Sequence, residues 1–290
     1  ALRFTADLHV DGLLHGAIVF SRRPHAHVRK VDANAALEVE GVHAVFWHAN
    51  TPAHRYNSSI WFSGQEALAD EQMFPSVVRH AGDRVAAVVA DTEEMARNVA
   101  RLIVVEYEDL PAILTPEAAL FHAGPVTQAD GSPTFLNPVA EEEFTHGDPE
   151  TGFAAADLAV EACISTPRSH HCAIEPHVCI AKPEPDGRIL LLSPCQSVFA
   201  VQAVVAQALG IPAEHLRVMK TPIGGSFGGK AEPILDPLCA FFAMTLGRAV
   251  TICYDRHETF TATRTRSSVT GRMRVGLSAD GRILARETET

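Results

Sequence analysis

Apolar and polar positions alternate along the chain in short blocks whose period changes several times. "LLHGAIVFS" and "VHAVFWHA" are compact, β-rich apolar runs that predict strands. In "GDRVAAVVADTEEMARNVARLIVVEYEDLPAIL", residues 85–90 predict a strand, Met95, Val99 and Leu102 recur at helical spacing, and residues 103–107 return to strand. Asp91 and Glu94 have the spacing of a capping box at that helix. The order strand–helix–strand predicts a right-handed βαβ unit with a parallel strand pair. "LTPEAAL" predicts a short helix with Thr115 as cap and Pro116 at its first position.

Periodicity dissolves between Phe121 and Glu150, where Gly124-Pro125, Gly131, Pro133, Pro138 and the acidic run 141–143 mark a long connection. The expected organisation is therefore a first domain over 1–122, a linker over 123–147 and a second region over 148–290. That region opens with the strand "LAVEACIST" and continues with the hairpin "HVCIAKPE"/"RILLLSP", turning at Pro185-Asp186-Gly187. Residues 197–209 predict an apolar helix ended by Gly210, and "HLRVMK" a strand running into a glycine cluster. A buried helix over 238–246, the strand "AVTICYD", a helix boxed by Asp255 and Glu258, and a hairpin turning at "SADG" complete the pattern. The fold class is α+β.

Composition narrows the function classes. With 47% hydrophobic and 20% charged residues the 290-residue chain is globular, and a net charge of -11 disfavours nucleic acid or an anionic membrane as partner. The apolar run 238–246 is under half the ~18–20 residues of a spanning helix. The N-terminus lacks a basic segment followed by an apolar one, so a cytoplasmic location is expected. The chain begins at Ala1 and closes on "RILARETET", inside a predicted strand, which leads us to expect a piece of a longer polypeptide. None of the six cysteines sits in an iron–sulfur or C-x-x-C spacing, and most are expected as buried thiols in a reducing compartment.

The stretch "KTPIGGSFGGKAEP" (220–233) contains G-x-x-x-x-G-K from Gly224, the start of a phosphate loop. The hydroxyl residue that should follow the lysine is Ala231, and Pro233 and Pro237 would break a helix opening there. A glycine loop around one aromatic instead offers backbone N–H groups and a flat apolar wall to a planar ligand. A turn that merely allows close packing is the plainer alternative.

"GGSFGGK", with "PCQSVF" and "HHCAIEPH" before it, resembles the molybdopterin-binding subunit of the molybdenum hydroxylases, the xanthine dehydrogenase and aldehyde oxidase family. The first third, with "GLLHGAIVFSRRPHAHV", "GDRVAAVVA" and "VEYEDLPAILTPEAAL", is similar to that family's α/β hammerhead domain. The resemblance implies a hammerhead domain followed by the first part of a mixed α+β molybdopterin-binding domain. It implies that the amide of Gln196 approaches an oxygen ligand of molybdenum, and that Phe227 and Gly228 offer backbone N–H groups while the Phe227 ring stacks on substrate. Gly224, Gly225 and Gly229 would give close approach to the cofactor, with Ser226 standing where the family has a further glycine. Glu232 is the candidate for the substrate-binding acid of purine-oxidising members, one position out of step because Ala231 follows the lysine. Metal ligation by side chains is not implied, since the pterin dithiolene holds the molybdenum.

The implied reaction is hydroxylation of an N-heterocycle or aldehyde with oxygen from water. The cofactor would be molybdopterin or its cytosine dinucleotide form, with 2Fe-2S and FAD on partner chains or domains of an oligomer. The family's general-base glutamate falls beyond residue 290, so the chain alone is expected to be inactive. A non-catalytic remnant or assembly domain of the same fold, and a nucleotide-binding protein, are the alternatives. Gln196 is also placed to cap the following helix, and Lys230 reads as a solvated or paired lysine. His170, His171, Glu175 and His177 read as structural or supporting groups, not a zinc site. Arg264 and Arg266 fit either an anion partner or a solvated helix face.

Overall fold

The computed structural model describes residues 2–59, 69–120, 125–127, 133–135 and 142–290. Its strands are β1 (Leu14–Phe20), β2 (Ala26–Asp32), β3 (Val42–Trp47), β4 (Val77–Val78), β5 (Arg84–Ala90), β6 (Val104–Asp109), β7 (Pro125–Thr127) and β8 (Pro133–Phe135). They continue with β9 (Leu158–Thr166), β10 (Val178–Pro183), β11 (Ile189–Ser193), β12 (Leu216–Lys220), β13 (Val250–Cys253), β14 (Val269–Leu277) and β15 (Ile283–Glu289). The helices are α1 (Asn34–Leu37), α2 (Glu93–Ala100), α3 (Pro116–Leu120), α4 (Pro149–Ala154), α5 (Val198–Leu209), α6 (Asp236–Leu246) and α7 (Arg256–Ala262). Two compact units result, one of residues 1–136 and 172–263, the other of residues 137–171 and 264–290.

The first unit is built on a seven-stranded mixed sheet in the order β12-β11-β10-β13-β1-β5-β3. Strand β5, between β1 and the edge strand β3, is buried along nearly its whole length, because both faces are covered. Ala87 and Val89 face one layer together with Val204 and Val205 of α5 and Leu238 and Phe242 of α6. Ala86 and Val88 face the other, against Val99 of α2. Phe46 stacks on Phe242, with ring centroids 4.5 Å apart and planes within 10°.

The expected βαβ unit forms in sequence but not in space. Both edges of β5 are occupied, by β1 and β3, each antiparallel. The alternately exposed β6 instead pairs antiparallel with β2, in a separate sheet of order β4-β2-β6. The cap of α2 is also one residue later than expected. Thr92 accepts the Met95 N–H, while Asp91 is engaged at 2.7 Å by His43 Nε2.

Other expectations hold. The apolar helix expected over 197–209 is α5, ended by Gly210 in the left-handed region, Thr115 accepts from Ala118 N at α3, and Asp255 and Glu258 form the capping box of α7. The hairpins β10–β11 and β14–β15 are antiparallel as expected. Much of the expected linker at 123–147 lies outside the described residues; β7 and β8, within it, pair antiparallel. Among the described residues no helix is long and apolar enough to cross a membrane. None of the six cysteines forms a disulfide; Cys179, Cys195 and Cys239 are buried, but Cys163 and Cys172 are exposed. Cys163 lies on β9, a strand of the second unit whose residues are all exposed.

In the second unit α4 packs on β14 and β15, and β14 is flanked by β15 and β9 in an antiparallel sheet.

Arg84 ties β5 to the chain that follows the glycine loop. Its guanidinium donates to the Ile234 carbonyl at 2.8 Å, the Tyr56 hydroxyl at 3.0 Å and the Gln72 carbonyl at 3.4 Å. Arg84→Met is expected to lower the unfolding free energy by about 2–3 kcal/mol, because charge-assisted bonds to buried acceptors are lost. Urea denaturation checks this, and an unchanged midpoint would contradict it.

Candidate functional site

Three segments of the first unit meet around the glycine loop: Cys172–His177 before β10, Cys195–Ser197 at the entrance to α5, and Gly224–Lys230 after β12. Their meeting rests on one carboxylate oxygen. Glu175 Oε2 accepts from Lys230 Nζ at 2.6 Å and from the Gly224 backbone N–H at 2.8 Å, so it grips both ends of the loop. Glu175 N donates back to the Gly224 carbonyl at 3.0 Å. His177 Nε2 and the Gly229 carbonyl lie 2.8 Å apart, adding a third tie. The side chains of Lys230 and Glu175 are only 3% and 10% exposed. Lys230 is therefore a paired, buried lysine, and of the two sequence alternatives solvation falls away.

The close approach requires glycine at 224, where an added Cβ would sit 2.5 Å from Glu175 Cβ. At Gly225 (φ +98) a Cβ would meet the Phe227 ring at 3.2 Å and Ala173 at 3.4 Å. The next four residues make a turn closed by Gly229 N–H donating to the Ser226 carbonyl at 2.8 Å. Its central residues Phe227 (φ 53) and Gly228 (φ 98) both take positive φ, as a type I′ turn requires. Glycine does this freely; an aromatic residue there is strained by about 1–3 kcal/mol. The strain holds the Phe227 ring out, 75% exposed. Among the described residues the backbone N–H groups of Ser226, Phe227 and Gly228 donate to no acceptor.

Gln196 is joined to this loop through its backbone, whose N–H donates to the Lys230 carbonyl at 2.9 Å. It does not cap α5, since Ser197 Oγ accepts the Ala200 N–H at 3.3 Å. The Gln196 side chain is exposed, and among the described residues its amide has no hydrogen-bond partner. Its neighbour Cys195 is buried, and burial pushes that thiol up to about 11, so it stays protonated and unreactive.

Glu232 lies at the edge of the cluster, where its carboxylate accepts from Ser59 Oγ at 3.1 Å and Ser58 Oγ at 3.4 Å. It lines a cavity of about 20 Å³ together with His177, Ser193, Cys195, Lys230 and Asp236, a size that matches one water molecule. Burial raises the Asp236 carboxyl above the ordinary aspartate range.

Of the four residues weighed as a metal set, Glu175 and His177 are tied to the loop, whereas His170 and His171 belong to the second unit, their rings edge-to-face at 5.8 Å. Among the described residues no group of three His, Cys, Asp or Glu side chains could hold a metal ion. Arg266 is exposed, and its backbone pairs with Ser169.

Sequence reasoning missed two residues. It gave Glu175 no part in shaping the loop, and it passed over Arg256, whose guanidinium donates to the Ala173 and Ile174 carbonyls at 2.7 and 2.6 Å and steadies the segment carrying Glu175. The one signal for Glu175 was its place in "HHCAIEPH"; nothing local marks Arg256 as more than a helix-start arginine.

The cluster thus presents a glycine cradle that a Cβ would fill, unused N–H donors, a neutral amide and an exposed aromatic face. This donor set suits a planar organic ligand rich in oxygen acceptors.

Comparison with known proteins gives the family of the chain. Residues 133–290 match the family model of the molybdopterin cofactor-binding domain, and residues 1–111 that of the aldehyde oxidase and xanthine dehydrogenase a/b hammerhead domain. The chain is 33% identical over 287 residues to the xanthine dehydrogenase molybdenum-binding subunit of Escherichia coli O157:H7, covering 97% of this chain and 37% of that protein. It superimposes on the aldehyde oxidoreductase of Desulfovibrio gigas with a TM-score of 0.85 at 29% identity, over 99% of this chain and 32% of that one. For the quinoline 2-oxidoreductase of Pseudomonas putida 86 the TM-score is 0.84 at 28% identity, over 99% and 36%. The chain thus spans about a third of the length of these relatives.

The paired burial of Glu175 and Lys230 has a measurable consequence. Glu175→Gln or Lys230→Met alone is expected to cost about 3–5 kcal/mol of stability, because each leaves a buried charge without its partner. The double variant is expected to lose less than the sum of the two. Urea unfolding of the four proteins checks this, and additive losses would contradict the pairing.

Proposed function

Because the chain belongs to the molybdenum hydroxylase family of aldehyde oxidases and xanthine dehydrogenases, we propose that it forms one wall of a molybdopterin active site that hydroxylates an N-heterocycle or an aldehyde. The observation that carries this reading is the joining of Gln196 to the Phe227 loop through the Lys230 carbonyl. That bond puts a partnerless amide, unused backbone donors and an exposed ring in one cluster.

The bound molybdopterin would supply the redox centre that takes two electrons from the substrate carbon. In this reading Gln196 donates a neutral hydrogen bond to an oxygen of the cofactor, orienting it without adding charge. The N–H groups of Phe227 and Gly228 supply further fixed donors where negative charge develops, at no cost of reorganisation during reaction. The Phe227 ring supports the flat face of the substrate and excludes water from it. Gly224, Gly225, Ser226 and Gly229 let the backbone approach, while Glu175 and His177 keep it rigid. Glu232 remains a candidate substrate contact through its position at the edge of the cluster.

The proton acceptor for the reaction is assigned to polypeptide outside this chain, and electrons to iron–sulfur and flavin partners. The purine-like members of the substrate class, an oligomeric assembly and a cytoplasmic location belong to the same reading.

The test is coexpression with the genomic neighbours, followed by molybdenum and pterin analysis and oxidation assays with purines, other N-heterocycles and aldehydes. A complex that holds molybdopterin and oxidises one of these classes is expected; a stable complex without the cofactor would make the chain an assembly domain. In the active complex, Phe227→Gly is expected to lower kcat/KM for a planar substrate about tenfold, equivalent to ~1.4 kcal/mol. Its stability should be unchanged or higher by up to about 1 kcal/mol, because glycine relieves the positive φ. Unaltered kcat/KM would remove the ring from the substrate site.

A further inference from the structure

The cavity of about 20 Å³ beside the glycine loop brings together Asp236 at the start of α6, Ser193 and Cys195 just ahead of Gln196, and Lys230 and Glu232 beyond the loop. Asp236 is a carboxyl in the core. The residue is 5% exposed, and its Oδ1 atom is buried and has no hydrogen-bond partner among the described residues. Ser193 is as deeply buried, and its hydroxyl lies beside both the Asp236 carboxyl and the Cys195 thiol. A buried polar atom left unpaired is costly, so in folded proteins such atoms are met by protein groups or by ordered water.

Size and charge decide what can meet Asp236. A cavity this small holds one water molecule and no organic ligand. Its border carries both signs, Lys230 against Glu232, so neither a bare cation nor a bare anion finds a matching shell. Burial favours the neutral form of Asp236, which presents one donor together with acceptor lone pairs. Water complements such a carboxyl and complements the Ser193 hydroxyl in the same way.

Resting on the functional reading above, in which the Gln196 amide meets the cofactor, we propose that this cavity holds one ordered water bonded to Asp236 and Ser193, through which Asp236 acts as a positioning residue for Gln196. The chain between Ser193 and Gln196 needs such an anchor. Ser193 ends β11, where its carbonyl accepts the Thr221 N–H at 3.1 Å, and the Gln196 N–H donates to the Lys230 carbonyl at 2.9 Å. Between them Pro194 has no N–H to contribute. The water ties this stretch to α6, the helix that follows the loop, and so fixes Gln196 from the side opposite the Lys230 carbonyl.

A crystal structure of the full chain, or of the complex that contains it, tests the water directly. Density for one water within hydrogen-bond reach of Asp236 and Ser193 is expected; a dry cavity or an ion there would overturn the proposal. Amide hydrogen exchange at Gln196 reads the positioning. Asp236→Leu, which expels the water, is expected to speed that exchange roughly tenfold while the amides of β5 keep their rates. Asp236→Asn, which keeps the shape with a donor and an acceptor, is expected to rescue it. Equal exchange in the two variants would overturn the role. If Asp236→Leu does not fold, Ser193→Ala takes its place with the same expected rise. In the active complex Asp236→Leu is expected to lower kcat with KM unchanged, and Asp236→Asn to restore it; an equal loss in both variants would also overturn the role. Molybdenum content separates the two readings. The water and the exchange pattern in a complex without molybdenum leave Asp236 as the anchor of Gln196 and sink the function; a loaded, active complex with a dry cavity does the reverse.

Discussion

Everything at the candidate site depends on one oxygen atom. Glu175 Oε2 binds both the first glycine of the loop and the lysine that closes it, from a position almost out of reach of water. In that setting the interaction with Lys230 is strong, and the loop has no inexpensive way to open without stranding a charge. Gly224 is required because any side chain there would collide with Glu175, and Arg256 secures the carbonyls next to the clamp. The loop is therefore rigid because of its surroundings, although its sequence, rich in glycine, suggests the opposite.

Rigidity lets the loop hold a conformation it would not adopt alone. Phe227 lies in the left-handed region and presents its ring to solvent, an arrangement costly in both backbone strain and apolar exposure. Such a residue persists where neighbouring bonds over-determine it. Gln196 enters the same construction through its main chain, which leaves its amide available for a ligand. Under the proposed function these features would share one purpose, to hold molybdopterin.

Local chemistry made much of the fold legible. Pro185-Asp186-Gly187 and "SADG" announced two hairpins, and Gly210, Asp255 and Glu258 marked helix ends correctly. Failures arose where partners distant in sequence decided the outcome. Periodicity could not reveal that β1 and β3 already occupy both sides of β5, so the parallel pair expected with β6 does not form. Asp91 lost the cap of α2 to Thr92 because His43, far off in sequence, takes its carboxylate. At the site, the glycine loop stood out by residue type, because four glycines around one aromatic are unusual together, whereas Gln196 was marked only by the resemblance of "PCQSVF" to the family. The clamp could not, because Glu175 and Lys230 are 55 positions apart and neither is unusual where it stands. The positive φ of Phe227 was equally hidden, for no propensity places an aromatic there.

The central claim is that the clamped loop points its unused N–H groups at the cofactor. Amide hydrogen exchange at Ser226, Phe227 and Gly228, compared between cofactor-free and cofactor-loaded complexes, tests it most directly. Acceptors supplied by the cofactor should slow exchange at these three amides at least tenfold. Equal exchange in the two states would contradict the account, since the loop would then be a packed turn that the cofactor never meets.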